Sequence, residues 1–427
     1  MLSVELIHRS SFIIHRSSFV VHHSSFIIHH SSFIVAGGIM AIPLKYNFRS
    51  LLRRRVSTLM TMLSIALVVS IFISIMALAS GLETALVSTG DPLNVLVRRR
   101  GADSELSSFF SREVLQSFKS LPGIKTDPTN GAPMAAAEIV LIVNAPKRGE
   151  QQAINVTVRG LSSNGLALRP QVRLLEGRLF QPGLHEAIVS RRISKRFQNA
   201  GLGDSLPFGR TSWKVVGIFE AGNTAFDSEI WVDVNQLAAD FHRQAYSSLL
   251  LQATDEAAMG EIINRIENDR RYNLMAQPEV KYYEEQTRSA GPIKVLGMFI
   301  AIVMGVGAGF AAMNTMYAAV TYRTQEIATL RVLGFRRRSI LLSFLIESLL
   351  LALMGGALGC LLALPLNGIT TGTMNWRTFS ELAFAFRITP KLLLTGMTFA
   401  ALMGIFGGLF PARQAARQTP AAALREA

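Results

Sequence analysis

The sequence predicts a membrane α-helical protein with four transmembrane helices and a large α+β extracytoplasmic domain inserted between helices 1 and 2. Three observations predict it. The 427 residues are 49% hydrophobic and only 17% charged, where an ordinary soluble domain carries about 25% charged residues. Four long apolar runs are each bordered by basic residues. Between the first and second runs, residues 81–290 lose the long apolar stretches and alternate short β-rich segments with helical patterns.

The first run, Val56 to Ala79, holds no charged residue and is long enough to cross a bilayer. The second extends from about Ile293 to Val320 and contains the small-residue string Gly305–Gly309. The third extends from about Ile340 to Leu366 with Glu347 inside it, and the fourth from about Leu392 to Phe410, ending at Pro411. Short flanks rich in Lys and Arg face the cytoplasm. Lys45, Arg49 and Arg53–Arg55 precede the first span; Arg323, Arg331 and Arg336–Arg338 join the second to the third; Arg413, Arg417 and Arg425 follow the fourth. The 3–4 connection holds Arg377, Arg387 and Lys391 only. This places both termini and the 2–3 connection inside, and residues 81–290 and the 3–4 connection outside. Arg98–Arg100 belong to a long translocated domain, to which the charge rule does not apply.

A net charge of +14 would raise the question of nucleic acid in a soluble chain, but here the basic residues border apolar runs. Cys360 is the only cysteine, so an intrachain disulfide and a cysteine zinc site are both excluded. Residues 10–37 repeat a heptad, SSFIIHR, SSFVVHH, SSFIIHH, SSFIVAG, and the region holds six of the eight histidines, His8, His15, His22, His23, His29 and His30. Three adjacent apolar residues per repeat do not form an a/d seam, and the interrupted apolar clusters make a poor secretory signal. We read the tract as a translated DNA repeat, with Met40 as the natural start.

In the outer stretch, strands are expected at 93–97, 138–143, 154–160, 213–219, 229–234 and 248–253, and helices at 112–121 and 256–269. Residues 101–107 and 145–152 are expected to be loops. His185, Glu186, Asp227, Glu229 and Asp233 match no metal-ligand spacing and are read as solvated surface acids and a turn histidine. Neither G-x-S-x-G nor H-E-x-x-H is present.

The segment Met316 to Gly359 carries the most information. The second span is expected to continue into the cytoplasm as a helix. Arg323 and Glu326 can pair on one face, Ile327, Leu330, Val332 and Leu333 supply apolar contacts, and Gly334 can end the helix in a left-handed conformation. The residues alone fit a docking element or an ordinary inter-helix turn. Glu347, an acid inside a span, is costly there and is read as an inter-helix hydrogen-bonding group, rather than a proton or substrate site. Gly305 with Gly309, and Gly355 with Gly359, are small-xxx-small pairs suited to close helix packing, with Asn314 able to hydrogen-bond across it.

This segment resembles the FtsX-like, MacB-type (type VII) family of ABC transporter permeases. The family pattern R-x-x-E-I-x-x-L-R-x-L-G is met by Arg323, Glu326, Ile327, Leu330, Arg331, Leu333 and Gly334, and its E-S dipeptide by Glu347 and Ser348. The tail P-A-x-x-A-x-x-x-x-P-x-x-A-L-R is met by Pro411, Ala412, Ala415, Pro420, Ala423, Leu424 and Arg425. Residues 174–192 are similar to its E-G-R-x-F segment and the strand and helix after it, and residues 213–219 to its following strand. The resemblance divides the chain into the repetitive tract 1–39, a lead-in and first span over 40–80, a MacB-like periplasmic core domain over 81–290, and an FtsX-like permease domain over 291–427.

The resemblance also implies a function. Arg323, Glu326, Ile327, Leu330, Arg331 and Gly334 become the surface that couples to an ABC ATPase subunit. This chain shows no G-x-x-x-x-G-K-[ST], so it is expected to be a non-catalytic subunit with no cofactor or metal of its own, ATP and Mg being bound by the partner ATPase. A homodimer or heterodimer of permeases in a bacterial cytoplasmic membrane is implied, with a periplasmic adaptor as a further partner. The expected activity is export, or lipid or lipoprotein extraction. The alternatives are a mechanotransmission subunit that activates an envelope enzyme without moving substrate, and a membrane sensor of peptides or drugs.

Overall fold

The computed structural model describes residues 35–36, 39–40, 55–149, 153–287, 291–374 and 380–418. Most of the heptad tract, the basic lead-in through Arg54, Arg377, and Pro420 to Arg425 lie outside the described residues. The chain divides into two compact units. One takes in the described parts of Met1–Ile71, Ile300–Leu362 and Leu393–Ala427; the other takes in those of Phe72–Phe299 and Ala363–Leu392.

Four helices are long and apolar enough to cross a membrane. They are α1 (Arg55–Val87), α7 (Gly291–Tyr322), α9 (Arg337–Ala363) and α10 (Pro390–Arg417). Lipid supplies no hydrophobic drive between helices, so they meet by close packing of small residues. In the first unit, a Cβ on Gly355 of α9 would lie 2.8 Å from the Met62 carbonyl oxygen of α1, and one on Gly359 would lie 2.6 Å from that of Ala66. Gly305 and Gly309 of α7 meet the rings of Phe399 and Phe406 of α10. The sequence pairs singled out above are thus both at helix crossings. Gly404, Gly407 and Gly408 of α10 make equally close approaches, to Ala352, Ala312 and Ser348. Asn314 is exposed; the cross-helix hydrogen bond is made by its neighbour, Thr315 Oγ1 to Thr61 Oγ1 at 2.8 Å.

The fourth span does not end at Pro411. Helix α10 continues through it to Arg417, although proline removes one ladder hydrogen bond. Ala412 and Ala415 beyond it are fully buried against Met316, Val320, Ile340 and Phe344, and that packing holds the last turns helical. Helix α1 likewise outlasts its apolar run: Leu82, Ala85 and Leu86 are buried in the core of the second unit.

The second unit is built on a ten-stranded mixed sheet. Its strands are β1 (Asn94–Arg99), β2 (Ala135–Pro146), β3 (Ala153–Leu161), β4 (Arg173–Gly177), β5 (Glu186–Ser190), β6 (Ser205–Phe208), β7 (Thr211–Glu220), β8 (Glu229–Asp233), β9 (Ser248–Gln252) and β10 (Leu274–Pro278). The order is β10-β1-β9-β2-β3-β8-β5-β7-β4, with β6 on β7. Alternation along each strand feeds two cores. Val95, Val97, Val189, Leu249 and Leu251 point to one, with Phe118 of α2 (Glu113–Phe118), Ile193 of α3 (Arg191–Arg196), Leu237 of α4 (Val234–Asp240) and Ile262 of α5 (Glu256–Asn268). Leu96, Ile188 and Leu250 point to the other, with Leu86, Tyr282 and Tyr283 of α6 (Glu279–Gln286), and Phe384.

The six strands expected from sequence are all present. The ones without a sequence signal are mostly at edges: β4 and β10 end the sheet, and β6 and β10 each contain a proline, which a central strand tolerates poorly. The 3–4 connection is more than a loop. It forms a hairpin, β11 (Thr370–Met374) and β12 (Glu381–Ala385). The Ala383 amide donates to Ser228 Oγ at 2.7 Å, Arg192 donates to the Ala383 carbonyl, and Arg196 pairs with Glu381.

The acids read as solvated are buried. Asp227 accepts from the amides of Ala221 and Asn223, Asp233 caps α4, and Glu186 pairs with Arg178. His185 meets Asp240 at 3.4 Å and packs edge-on to Trp213. Glu229 belongs to a buried charge cluster centred on Arg159 of β3, whose guanidinium also binds Glu105 at 2.9 Å and Glu138 at 2.6 Å. Arg169 joins through Glu138. Burial opposes the charge on Glu105, but Arg159, Ser248 and Arg169 outweigh it and lower the carboxyl pKa. Glu279 is different. Burial pushes it up to about 7 against the pull of Arg169, the Asp91 amide and Asn94, with Glu138 adding repulsion.

Two predictions follow from this packing. Gly359→Leu has no room beside the Ala66 carbonyl and Val69 and should cost about 1–3 kcal/mol, read as a lower melting temperature of the detergent-solubilised chain. Gly307→Ala, with open space around it, should melt like the parent. For Glu279 the folded pKa of about 7 exceeds the ordinary 4.5, so its contribution is present below pH 4.5 and fades as pH rises through 7. Stability should therefore fall by about 3 kcal/mol at most across that window, and Glu279→Gln should flatten the profile. A denaturant midpoint measured from pH 5 to 8 checks it.

Candidate functional site

The segment between the second and third spans is not a simple continuation of α7. That helix stops at Tyr322, Arg323 sits outside helical geometry with φ −109° and ψ 17°, and a separate helix α8 runs Thr324–Val332. Local side chains favour the break. Thr321 Oγ1 bonds back to the Tyr317 carbonyl and Thr324 Oγ1 to that of Thr321 at 2.9 Å, offering the carbonyls an alternative to the helical ladder.

The far end of α8 is a Schellman stop. The Phe335 amide donates to the Leu330 carbonyl at 3.1 Å, the Gly334 amide to that of Arg331 at 3.2 Å, and Gly334 takes φ +93°. A side chain at Gly334 would meet nothing within 4 Å, so the requirement for glycine is conformational and not steric. Arg331 donates to the Phe335 carbonyl at 3.1 Å, tying its long side chain to the same turn.

Of the residues expected to couple, the structure divides the set. Ile327 is buried among Met316, Val320, Ile340, Phe344, Ala412 and Ala415, so it anchors the helix and does not face outward. Arg323 turns inward as well. Its Nη1 meets Glu347 Oε2 at 3.0 Å, with side chains 14% and 4% exposed, while the expected partner Glu326 is 3.9 Å away. Glu347 is thereby held in an inter-helix ion pair. Leu330 and Arg331 are half-buried, and Glu326 and Gly334 are exposed.

The exposed tip includes residues that the sequence shows only as apolar contacts, without saying whether they face inward or outward. Val332 is 67% exposed and Leu333 62% exposed, and Tyr322 is exposed at the opposite end of α8. An apolar pair beside the basic run Arg336–Arg338 is a knob with a charged rim, the arrangement of a protein-docking surface. Sequence could not separate Val332 and Leu333 from Ile327, because all three lie in one apolar pattern and the buried face is set by distant helices. Among the described residues, no group of three or more His, Cys, Asp or Glu is placed to hold a metal ion.

Two family models match the chain in the order of its two parts. The FtsX-like permease C-terminal family model matches residues 298–420, and the MacB-like periplasmic core domain model matches residues 58–269. The ABC transporter permease YknZ of Bacillus subtilis (strain 168) is 25% identical over 408 residues, covering 88% of this chain and 96% of that protein. The macrolide export ATP-binding/permease protein MacB of Pasteurella multocida (strain Pm70) is 24% identical over 398 residues, and this chain spans 58% of its length. The solved extracellular domain of a Gram-positive YknZ aligns over 43% of this chain and 99% of that one, with 18% identity and a TM-score of 0.31. The four apolar helices and the MacB-like domain make this a membrane protein with an extracytoplasmic domain. The chain belongs to the FtsX-like, MacB-type family of ABC transporter permeases.

Proposed function

We propose that this permease subunit is non-catalytic and converts ATP hydrolysis by a separate ABC ATPase into movement of its outer domain. The observation that carries the reading is the tip of α8. Val332 and Leu333 are exposed at one end of α8 next to Gly334, and Glu326 is exposed in its first turn, while Arg323, Ile327 and the Arg331–Phe335 contact hold the helix beneath. Such a short, braced helix presents an apolar anchor inside a polar rim, the pattern of an interface hot spot.

In this reading the termini and α8 lie on the cytoplasmic side of a bacterial inner membrane, as the basic flanks favour. ATP and Mg are held by the partner ATPase. Two permease copies act together, and the outer domain is available to a periplasmic adaptor. Helices α1 and α7 each contribute residues to both units. Export is the direction supported by the name of the MacB relatives; extraction of lipid or lipoprotein is the outcome that a transport assay in proteoliposomes separates from it.

The test is mutation of the tip. Leu333→Asp and Glu326→Arg leave buried contacts intact, so both variants should reach the membrane at normal levels. Each should weaken co-purification of the native ATPase by about tenfold or more, as loss of a central anchor does. Undiminished association in the double variant would refute the docking assignment.

A further inference from the structure

We infer that the Arg323–Glu347 ion pair is the joint through which α8 acts on the third span, making Arg323 and Glu347 positioning residues for energy coupling. The inference rests on the docking of α8 proposed above and adds the route by which its movement enters the membrane unit.

Three observations on the first unit carry it. The backbone between α7 and α8 is broken at Arg323, so a push on α8 meets a bend on its way to α7. The side chain at that same bend bonds directly to α9, through Glu347 at 3.0 Å, and its guanidinium lies 6.0 Å from the ring centroid of Phe344, also on α9. Finally, α9 is gripped on its other faces: Gly355 and Gly359 pack on α1, and Gly356 on Ala400 of α10. A displacement received by α9 therefore reaches two further spans.

The chemistry favours a joint over plain cohesion. Glu347 lies ten residues beyond Arg337 along α9, roughly 15 Å at 1.5 Å per residue. A carboxylate at that depth is expensive, and an apolar pair of the same size would hold the helices together as well or better. What an ion pair adds is direction. Apolar contacts such as Ile327 against Ile340 allow sliding, whereas a charge-assisted hydrogen bond fixes the rotation of one helix against the other.

The test uses the full chain in nanodiscs, in a Cys360→Ala background, with spin labels at the exposed positions Thr329 and Leu342. The double variant Arg323→Met/Glu347→Met removes the pair without leaving a stranded charge. It should keep the parent melting temperature and ATPase binding, yet broaden the α8–α9 distance distribution and lower permease-dependent stimulation of ATP hydrolysis by about tenfold. Arg323→Lys, which keeps the charge, should recover part of that stimulation. A distance distribution and stimulation both unchanged in the double variant would overturn the proposal. So would a parallel loss of melting temperature, binding and stimulation, which marks a purely structural pair. If the parent chain itself binds no ATPase, the docking reading fails, and the distance distribution alone then decides whether the joint exists.

Discussion

The membrane unit is governed by one constraint: in hydrocarbon, helices gain nothing by hiding apolar side chains from each other. Contact has to come from backbones lying close enough for dispersion and polar bonds to act. The glycines of α7, α9 and α10 supply that closeness, several of them against a facing carbonyl or a ring where a single added carbon would collide. Once the helices are that close, Thr61 and Thr315 can share a hydrogen bond, and α10 can remain helical past Pro411 because Ala412 and Ala415 are already enclosed.

The same absence of water explains how charge is handled. In the outer unit Arg159 of β3 satisfies Glu105, Glu138 and Glu229 from three different segments of chain, and Glu138 and Glu229 belong to β2 and β8, the strands that flank β3 in the sheet. Removing charges from water is costly, and a shared guanidinium offsets that cost at one point. Glu279, with no ion-pair partner among the described residues, accepts from the Asp91 amide and Asn94, and burial outweighs those bonds and keeps its proton affinity high. In the membrane unit, Arg323 and Glu347 use the same paired solution, where it also sets the orientation of a helix.

Helix α8 brings these themes together. Its start is defined by a break that threonine back-bonding favours, its end by a glycine in the left-handed region, and its inner face by Ile327. What remains outside is a small apolar knob with a charged border. The helix is short enough that its position depends on the contacts beneath it, Ile327 first among them, more than on its own hydrogen bonds.

The sequence by itself determined the number and order of the spans, the position of the outer domain, six of its strands and the glycine stop at Gly334. Each of these depends on neighbours along the chain: a run of apolar residues, an alternation, or a backbone conformation that one residue type adopts freely. Tertiary structure alone decided the rest. Asp227, Glu229 and Asp233 looked like surface acids because their partners are amides and an arginine that no spacing reveals. Val332 and Leu333 could not be told from the buried Ile327 because only the distant helices show which face of α8 is covered. The edge strands β4, β6 and β10 had no period of their own to read. Arg323 looked like the partner of Glu326, a spacing of three along a helix being local, and it is folding that brings Glu347 closer.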